Sequence, residues 1–241
     1  MYPVAFVDEA VVSLKKVRSQ FTAVLSSNRR VNSQTLVMAT GVRDHFPQVP
    51  DWESYVGRSL FWCIVCDGYS SRGKNLIAVG NDDEAAVTAL QFLQFTDRVT
   101  LLTNSLECGI SATAWRSLKR HGVSLNVAQI AVFLGEDGVL GVVVLGDGTR
   151  LAADFVFSLQ GGTPNSALAA ALGASLNKEG YVVVDDEQQT NVAGLFAAGD
   201  VSNRHAHQLA TAVHEGLTAA TAAQFFLYAP WQRAPGGGSA T

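Results

Sequence analysis

Short runs of apolar residues, separated by turn-forming residues, dominate the sequence and predict more strands than helices. Near the beginning of the chain these runs predict strands at residues 4–7, 11–17, 21–25 and 35–39. Later runs predict strands at residues 76–79, 99–102, 127–134, 139–145, 155–159, 181–184 and 195–198. The Gly-Glu-Asp-Gly segment at 135–138 separates two of these runs and predicts a hairpin.

Apolar residues also recur at helical spacing between the predicted strands. Residues 83–95 place Ala86, Leu90 and Leu93 on one helical face, and the alanine-rich residues 206–228 predict a long helix. Residues 111–121 predict another helix, with Ser111 as its N-cap and Gly122 following its end. Strands that alternate with helices in this way are typical of an α/β fold.

Two loop segments predict how the chain is divided into domains. Proline and aspartate residues form the first segment near Pro47, and residues 161–165 form the second. We therefore expect a middle domain at residues 46–162, inserted into an outer domain made of residues 1–45 and 163–230. The glycine-rich residues 231–241 are expected to be a flexible tail.

Composition excludes several classes of partner for this chain of 241 residues. Charged residues make up 16% of it and the net charge is −4, which argues against binding to nucleic acid or to anionic membranes. The longest apolar stretches are interrupted well before the length of a membrane span. With no basic and apolar leader at the start and only three cysteines, we expect a cytoplasmic protein rather than a disulfide scaffold.

A Cys-x-x-Cys sequence carries the strongest chemical signal. Cys63 and Cys66 are spaced to close a small disulfide, and Asp67 follows the second thiol directly. If the two cysteines flank the first turn of a helix, the helix N-terminus stabilises a thiolate, and Asp67 is placed to transfer its proton. Two other interpretations stay open at this point, namely an ordinary pair of core thiols and half of a zinc site.

Four motifs in this order resemble the low-molecular-weight thioredoxin reductase family. The Cys63–Cys66 pair followed by Asp67 and Gly68 is similar to the family's Cys-x-x-Cys-Asp-Gly. Thr40 and Gly41 close a segment similar to its Ala-Thr-Gly, and Gly199 and Asp200 match its Gly-Asp flavin motif. His207 and Gln208 stand where the family has Arg-Gln. The resemblance extends from about Val4 to Tyr228.

The resemblance implies roles for these residues and a fold of two Rossmann-like, three-layer domains. The nicotinamide-type domain is inserted into a split FAD-type domain and turns on the two linkers. Cys66 would exchange electrons with FAD, Cys63 would attack the protein substrate, and Asp67 would act as acid and base. Asp200 would hold the ribityl chain of FAD. The remaining implied cofactor-binding residues are Thr40, Gly41, Gly199, His207 and Gln208. A homodimer is also implied.

Three departures from the family pattern modify these expectations. No Gly-x-Gly-x-x-Gly turn precedes Val4, so we expect the first part of the FAD-type domain to be absent. The nucleotide turn that starts at Gly80 has Asp82 where the family has glycine, and a carboxylate there repels phosphate. Thr103 and the residues after it replace an arginine pair that reads the NADP 2′-phosphate.

These observations predict a flavin-dependent thiol-disulfide oxidoreductase that uses NADPH poorly. Its protein partner would be thioredoxin or a similar disulfide. Its electron donor would be ferredoxin or a second flavin, as in relatives that lack the NADPH motifs. Two alternatives stay open, a non-catalytic remnant without FAD and a thiol sensor that opens and closes with redox state.

Overall fold

The computed structural model describes residues 4–202, 206–229 and 232. The chain forms two compact units, one made of residues 1–43 and 163–241 and the other of residues 44–162. The first unit begins with five strands, β1 Val11–Val17, β2 Gln20–Leu25, β3 Arg30–Ser33, β4 Leu36–Met38 and β5 Val42–Asp44.

The second unit contains eight strands and three α-helices among its described residues. They are β6 Leu60–Phe61, α1 Ile64–Asp67, β7 Leu76–Val79, α2 Asp83–Gln91, β8 Val99–Leu102, α3 Ala112–Arg120, β9 Ser124–Asn126, β10 Ile130–Glu136, β11 Val139–Leu145, β12 Arg150–Ala152 and β13 Phe155–Ser158. The chain then returns to the first unit with β14 Gly162–Pro164, α4 Ala167–Ala171, β15 Leu195–Ala197 and α5 Leu209–Leu227.

The second unit is built on a five-stranded sheet with the order β6-β13-β7-β8-β9, in which every neighbouring pair is parallel. The central strand β7 is buried at every position, as expected for a parallel sheet covered on both faces. One face packs through Ala78 and Leu101 against helices α2 and α3. The other face packs through Ile77 and Val79 against the antiparallel sheet β10-β11-β12, which contributes Val143.

The first unit combines an antiparallel meander, β1-β2-β3, with a parallel pair formed by β15 and β4. A buried cluster that includes Phe21, Met38 and Leu195 fills the space between them. Helix α5 covers Phe196 on the other face of β15 through Ala219 and Ala223. Within the part of the chain that the structure describes, β15 is the one strand that pairs with β4.

The two segments that connect the units pair with each other as β5 and β14. On one side of this pair the Asn165 N–H donates to Gly41 O at 2.9 Å, and on the other the His45 N–H donates to Gly161 O at 2.9 Å. The chain therefore crosses from one unit to the other within β5 and again within β14.

The α/β fold class is confirmed, and so are most of the predicted strands. Ser111 caps α3 as predicted, since its Oγ accepts from the Ala114 N–H at 3.2 Å. Two predicted strands are wrong. Residues 4–7 are exposed and form no strand, and residues 181–184 contribute only isolated bridges at Val182. The predicted tail lies outside the described residues except for Gln232.

No helix in the described ranges has the length and apolar character needed to cross a membrane.

Gly80, which follows β7, is required because there is no space for a side chain at this position. A Cβ atom at this position would lie 2.4 Å from the Ala85 Cβ and 3.3 Å from the Leu159 Cβ. Glycine here therefore allows α2 to pack closely against the end of β7.

Replacing Gly80 by alanine is expected to lower the free energy of unfolding by about 1–3 kcal/mol, because two Cβ atoms would overlap. Gly216 in α5 is the control, since nothing lies within 4 Å of a Cβ built there. Gly216→Ala should raise the free energy of unfolding by about 0.5–1 kcal/mol through helix propensity. Urea denaturation measures both values, and equal effects of the two variants would contradict the packing argument.

Candidate redox site

Cys63 and Cys66 form a disulfide across the single turn of α1, with their Cα atoms 5.3 Å apart. Cys63 is the N-cap of this turn, and its Sγ accepts a hydrogen bond from the Cys66 N–H at 3.1 Å. An N–H donor in this position stabilises negative charge on the Cys63 sulfur when the disulfide opens. Cys66 is exposed, whereas Cys63 is half-buried.

Asp67 is the last residue of the turn and is half-buried. Its N–H donates to Cys63 O at 3.0 Å, which fixes the backbone of the turn. Burial raises the pKa of the Asp67 carboxyl, because removal from water disfavours the charged form. A carboxyl with a raised pKa next to a dithiol is suited to accept and return a proton.

Glycine after the turn allows α1 to lie against an aromatic ring. A Cβ atom on Gly68 would lie 2.7 Å from Phe95 Cε2 and 3.1 Å from Ile64 Cγ1. The Ser71 Oγ donates to Gly68 O at 2.6 Å and closes the following turn. The turn that carries the disulfide therefore packs against the Phe95 ring, and the hydrogen bond from Ser71 fixes the backbone that follows it.

Exposed apolar and aromatic side chains surround the disulfide. Val65 is 82% exposed and Tyr69 is 69% exposed, and Trp62 packs edge-on against Phe46 with its outer part in solvent. The Arg72 guanidinium lies 5.2 Å from the centre of the Tyr69 ring and donates to its hydroxyl at 3.0 Å. These two residues border an open depression of about 800 Å³.

At the end of β7, the turn that begins at Gly80 is occupied by the chain's own side chains. Asp82 is the N-cap of α2, and its Oδ1 accepts from the Ala85 N–H at 2.8 Å. The Asp83 Oδ1 accepts from the Ser111 N–H at 2.8 Å, and hydrogen bonds from Ser111 hold the pKa of Asp83 below its usual range. Both carboxylates therefore bind backbone donors, one within α2 and the other at the N-cap of α3.

Asn81 joins the same turn to the loop that follows β8. Its Nδ2 donates to Glu107 O at 3.1 Å, and its Oδ1 accepts from the Gly109 N–H at 2.7 Å. A Cβ atom on Gly109 would lie 2.3 Å from Asn81 O, so the loop touches the backbone of the turn. We call this arrangement of Asn81, Asp82 and Asp83 with the loop the closed turn.

In the first unit, Thr40 and Gly41 contact Asn165. The Thr40 Oγ1 donates to Asn165 O at 2.7 Å, and the Asn165 Nδ2 donates to Thr40 O at 2.9 Å. Gly41 has a φ of 65°, which favours glycine at this position. In this structure the two residues fix the point where the chain leaves the first unit, and their binding of a cofactor stays a prediction.

Gly199 and Asp200 lie in a short turn directly after β15. Gly199 has a φ of 71°, and its N–H donates to Glu215 Oε2 in α5 at 2.7 Å. Asp200 is half-buried, and its carboxylate has no hydrogen bond within the described part of the chain. An unengaged carboxylate beside a left-handed glycine is suited to accept a hydrogen bond from a ligand hydroxyl.

His207 and Gln208 lie just before α5, whereas the predicted helix began at residue 206. His207 is exposed, and its ring centre lies 5.3 Å from that of Tyr181. Gln208 is the N-cap of α5, and its N–H donates to the Thr211 Oγ1 at 3.2 Å. The first N–H groups of this long helix are a favourable environment for negative charge.

Sequence reasoning missed three residues that hold these turns, namely Asn81, Asp83 and Glu215. Each acts on a residue distant in the sequence, so no short motif announces it. The zinc interpretation of the cysteines gains no support, since the described residues contain no cluster of three or more metal-binding side chains.

The fold and the disulfide together define a class, the two-unit α/β disulfide oxidoreductases. Residues 4–216 match the family model described as pyridine nucleotide-disulphide oxidoreductase, so the chain belongs to that family. Thioredoxin reductase of Treponema pallidum is 32% identical over 227 residues, which cover 91% of this chain and 72% of that protein. Thioredoxin reductase of Bacillus subtilis is 28% identical and is covered over 68% of its length.

A solved structure supports the same assignment. Thioredoxin reductase from Streptococcus pyogenes has a TM-score of 0.82 and 25% identity, over 91% of this chain and 73% of the other. The chain is therefore a thioredoxin reductase-like oxidoreductase, and the Cys63–Cys66 disulfide fits the redox-active pair of such enzymes.

The pKa of Asp67 is expected to lie above the ordinary aspartate value of about 3.9 when followed by NMR titration. Asp83 is the internal control, because its hydrogen bonds from Ser111 lower its pKa. A raised pKa in the folded state means that Asp67 favours folding below the unfolded-state pKa and loses that contribution as the pH rises through the folded-state pKa. Asp67→Asn should therefore remove this part of the pH dependence of stability. An Asp67 that titrates below Asp83 would contradict the burial argument.

Proposed function

We propose that this chain passes electrons from bound FAD through the Cys63–Cys66 pair to the disulfide of a partner protein. The observation that carries the proposal is the disulfide itself, exposed at Cys66 and hydrogen-bonded at the Cys63 sulfur. A structural core disulfide needs neither exposure nor a donor aimed at one sulfur.

The residues of the first unit fit FAD in part. Asp200 offers a carboxylate with no hydrogen bond within the described residues, which suits the hydroxyls of a ribityl chain. Gln208 is the N-cap of α5, whose N-terminal N–H groups suit a ring edge that becomes negative. When bound, FAD would supply a redox-active ring that stores two electrons for transfer to the disulfide.

The dithiol chemistry follows from the positions of the two sulfurs. Two electrons and two protons convert the disulfide into two thiols. The Cys63 thiolate, stabilised by the Cys66 N–H, attacks one sulfur of the partner's disulfide and releases the other as a thiolate. Cys66 then attacks Cys63, which restores the internal disulfide and frees the partner with both of its thiols. Asp67 accepts the proton that leaves the attacking thiol and returns it.

The surface around the disulfide favours a protein as the substrate. Val65 and Tyr69 are largely exposed, and Arg72 stacks over Tyr69 at the edge of an open depression. Exposed aromatic, aliphatic and arginine side chains are typical of the centres of protein interfaces. Thioredoxin, the substrate that gives the named relatives their name, is the partner that we propose.

NADPH does not fit the closed turn. The Ala85 N–H, one of the donors at the start of α2, already binds Asp82, and the carboxylates of Asp82 and Asp83 add negative charge where a pyrophosphate would lie. Asn81 holds the loop after β8 against the same turn. We infer that electrons come from a ferredoxin or a second flavin.

A reducing compartment such as the cytoplasm suits a disulfide that must reopen.

Trapping a mixed disulfide tests the dithiol proposal. Cys66→Ser is expected to hold a thioredoxin covalently through Cys63, because the resolving thiol is missing. Cys63→Ser should trap far less, since it removes the sulfur that accepts from the Cys66 N–H. Cys108→Ser, at an exposed free cysteine, is the matched control and should leave the catalytic cycle unchanged. Intact-mass measurement separates these outcomes, and full turnover by Cys66→Ser would exclude the pair from the reaction.

Direct titration tests the proposal about NADPH. We expect no saturable binding of NADPH below about 1 mM, the upper end of ordinary KM values. The variant Asp82→Gly removes one carboxylate and frees the Ala85 N–H, so it should bind NADPH more tightly than the natural chain. Micromolar binding by the natural chain would overturn this part of the proposal.

A further inference from the structure

We propose that Glu215 is a positioning residue for the flavin site, holding Gly199 so that the Asp200 carboxylate stays available to FAD. The inference rests on the proposed function, since it concerns the same cofactor. It adds a residue that lies neither in the Gly-Asp motif nor at the start of α5, and that reaches the site from within that helix.

Burial sets Glu215 apart from the other acidic residues. It is 3% exposed, and it is the one charged side chain among the buried residues that the structure describes. Burying a carboxylate is unfavourable unless hydrogen bonds replace its hydration. Glu215 Oε2 accepts from the Gly199 N–H at 2.7 Å and from the Ser202 Oγ at 3.4 Å. A helix that needed only packing at this position would carry an apolar residue.

The turn that Glu215 holds is otherwise closed on itself. Gly199 O accepts from the Ser202 N–H at 2.9 Å and from the Ser202 Oγ at 3.2 Å. Val201 is fully buried, and its carbonyl accepts from the Val182 N–H at 2.9 Å. The Gly199 N–H faces α5 instead, where Glu215 binds it. Asp200 lies between these fixed groups.

The hydrogen bond to Glu215 engages the backbone N–H of the residue that directly precedes Asp200. Aspartate side chains readily accept hydrogen bonds from N–H groups of neighbouring residues, and such a bond would occupy the carboxylate. Glu215 binds the Gly199 N–H, and the Asp200 carboxylate has no hydrogen bond within the described residues. The Glu215 carboxylate thus binds the backbone, and the Asp200 carboxylate is left for a ligand.

FAD titration of the full chain, followed by flavin fluorescence, tests the assignment. Glu215→Ala should weaken FAD binding on the order of tenfold or more. Glu215→Gln keeps an oxygen that accepts from the Gly199 N–H and should restore affinity to within a few-fold. Ala223→Gly is the control, because it weakens the same helix at a buried position without contacting Gly199. If Glu215→Ala does not fold, Glu215→Asp, which shortens the side chain, replaces it.

Two further measurements separate positioning from general stability. Hydrogen exchange at the Gly199 amide, measured without FAD, should accelerate in Glu215→Ala and stay slow in Glu215→Gln. The double variant Glu215→Ala/Asp200→Asn should lose no more affinity for FAD than Asp200→Asn alone if Glu215 acts through Asp200.

The results distinguish failure of the Glu215 assignment from failure of the proposed function. Unchanged FAD affinity in Glu215→Ala, or an equal loss in Ala223→Gly, would overturn the assignment while the proposed function stands. A natural chain that binds no FAD would overturn both, and it is recognised by the absence of any fluorescence change before variants are compared.

Discussion

Backbone N–H groups at the ends of strands need acceptors, and in this protein the choice of acceptor decides where a ligand can bind. After β7, Asp82 accepts from an N–H of α2, Asp83 from the N-cap residue of α3, and Asn81 from the loop after β8, so the chain's own residues close this end of the sheet. After β15 the Gly199 N–H is taken by Glu215, and Asp200 is left without a partner among the described residues. Two similar turns thus differ in what they leave available.

The same principle operates at the disulfide. Cys63 stands at the N-cap position, where serine, threonine or aspartate would ordinarily accept the hydrogen bond, and its sulfur accepts instead. The short turn therefore stabilises charge on one particular sulfur, while Gly68 and Phe95 hold it in place. The hydrogen bond from the Cys66 N–H to the Cys63 Sγ therefore caps the four-residue helix α1 and also stabilises charge on the reactive sulfur.

Local signals predicted much of this fold. The continuous apolar run at Leu76–Val79 and the capping serine at Ser111 depend only on neighbouring residues, and both appear as expected. Residues 181–184 form a continuous apolar run that predicts a strand, yet Val182 pairs with Leu176 and Ser202 only through isolated bridges. The cysteine motif and Asp200 could likewise be identified in the sequence, because each belongs to a short run of neighbouring residues. Asn81 and Glu215 were not, because their partners lie 28 and 16 residues away and only the folded chain brings them together.

The central claim is that electrons held by FAD on this chain open the Cys63–Cys66 disulfide. The direct measurement is to incubate the full chain with FAD, remove the excess by desalting, reduce the flavin photochemically without oxygen, and count alkylated cysteines by mass spectrometry. The account predicts a retained flavin absorption band and new alkylation of both Cys63 and Cys66 after reduction. A flat visible spectrum, or a bleached flavin with the disulfide intact, would contradict it.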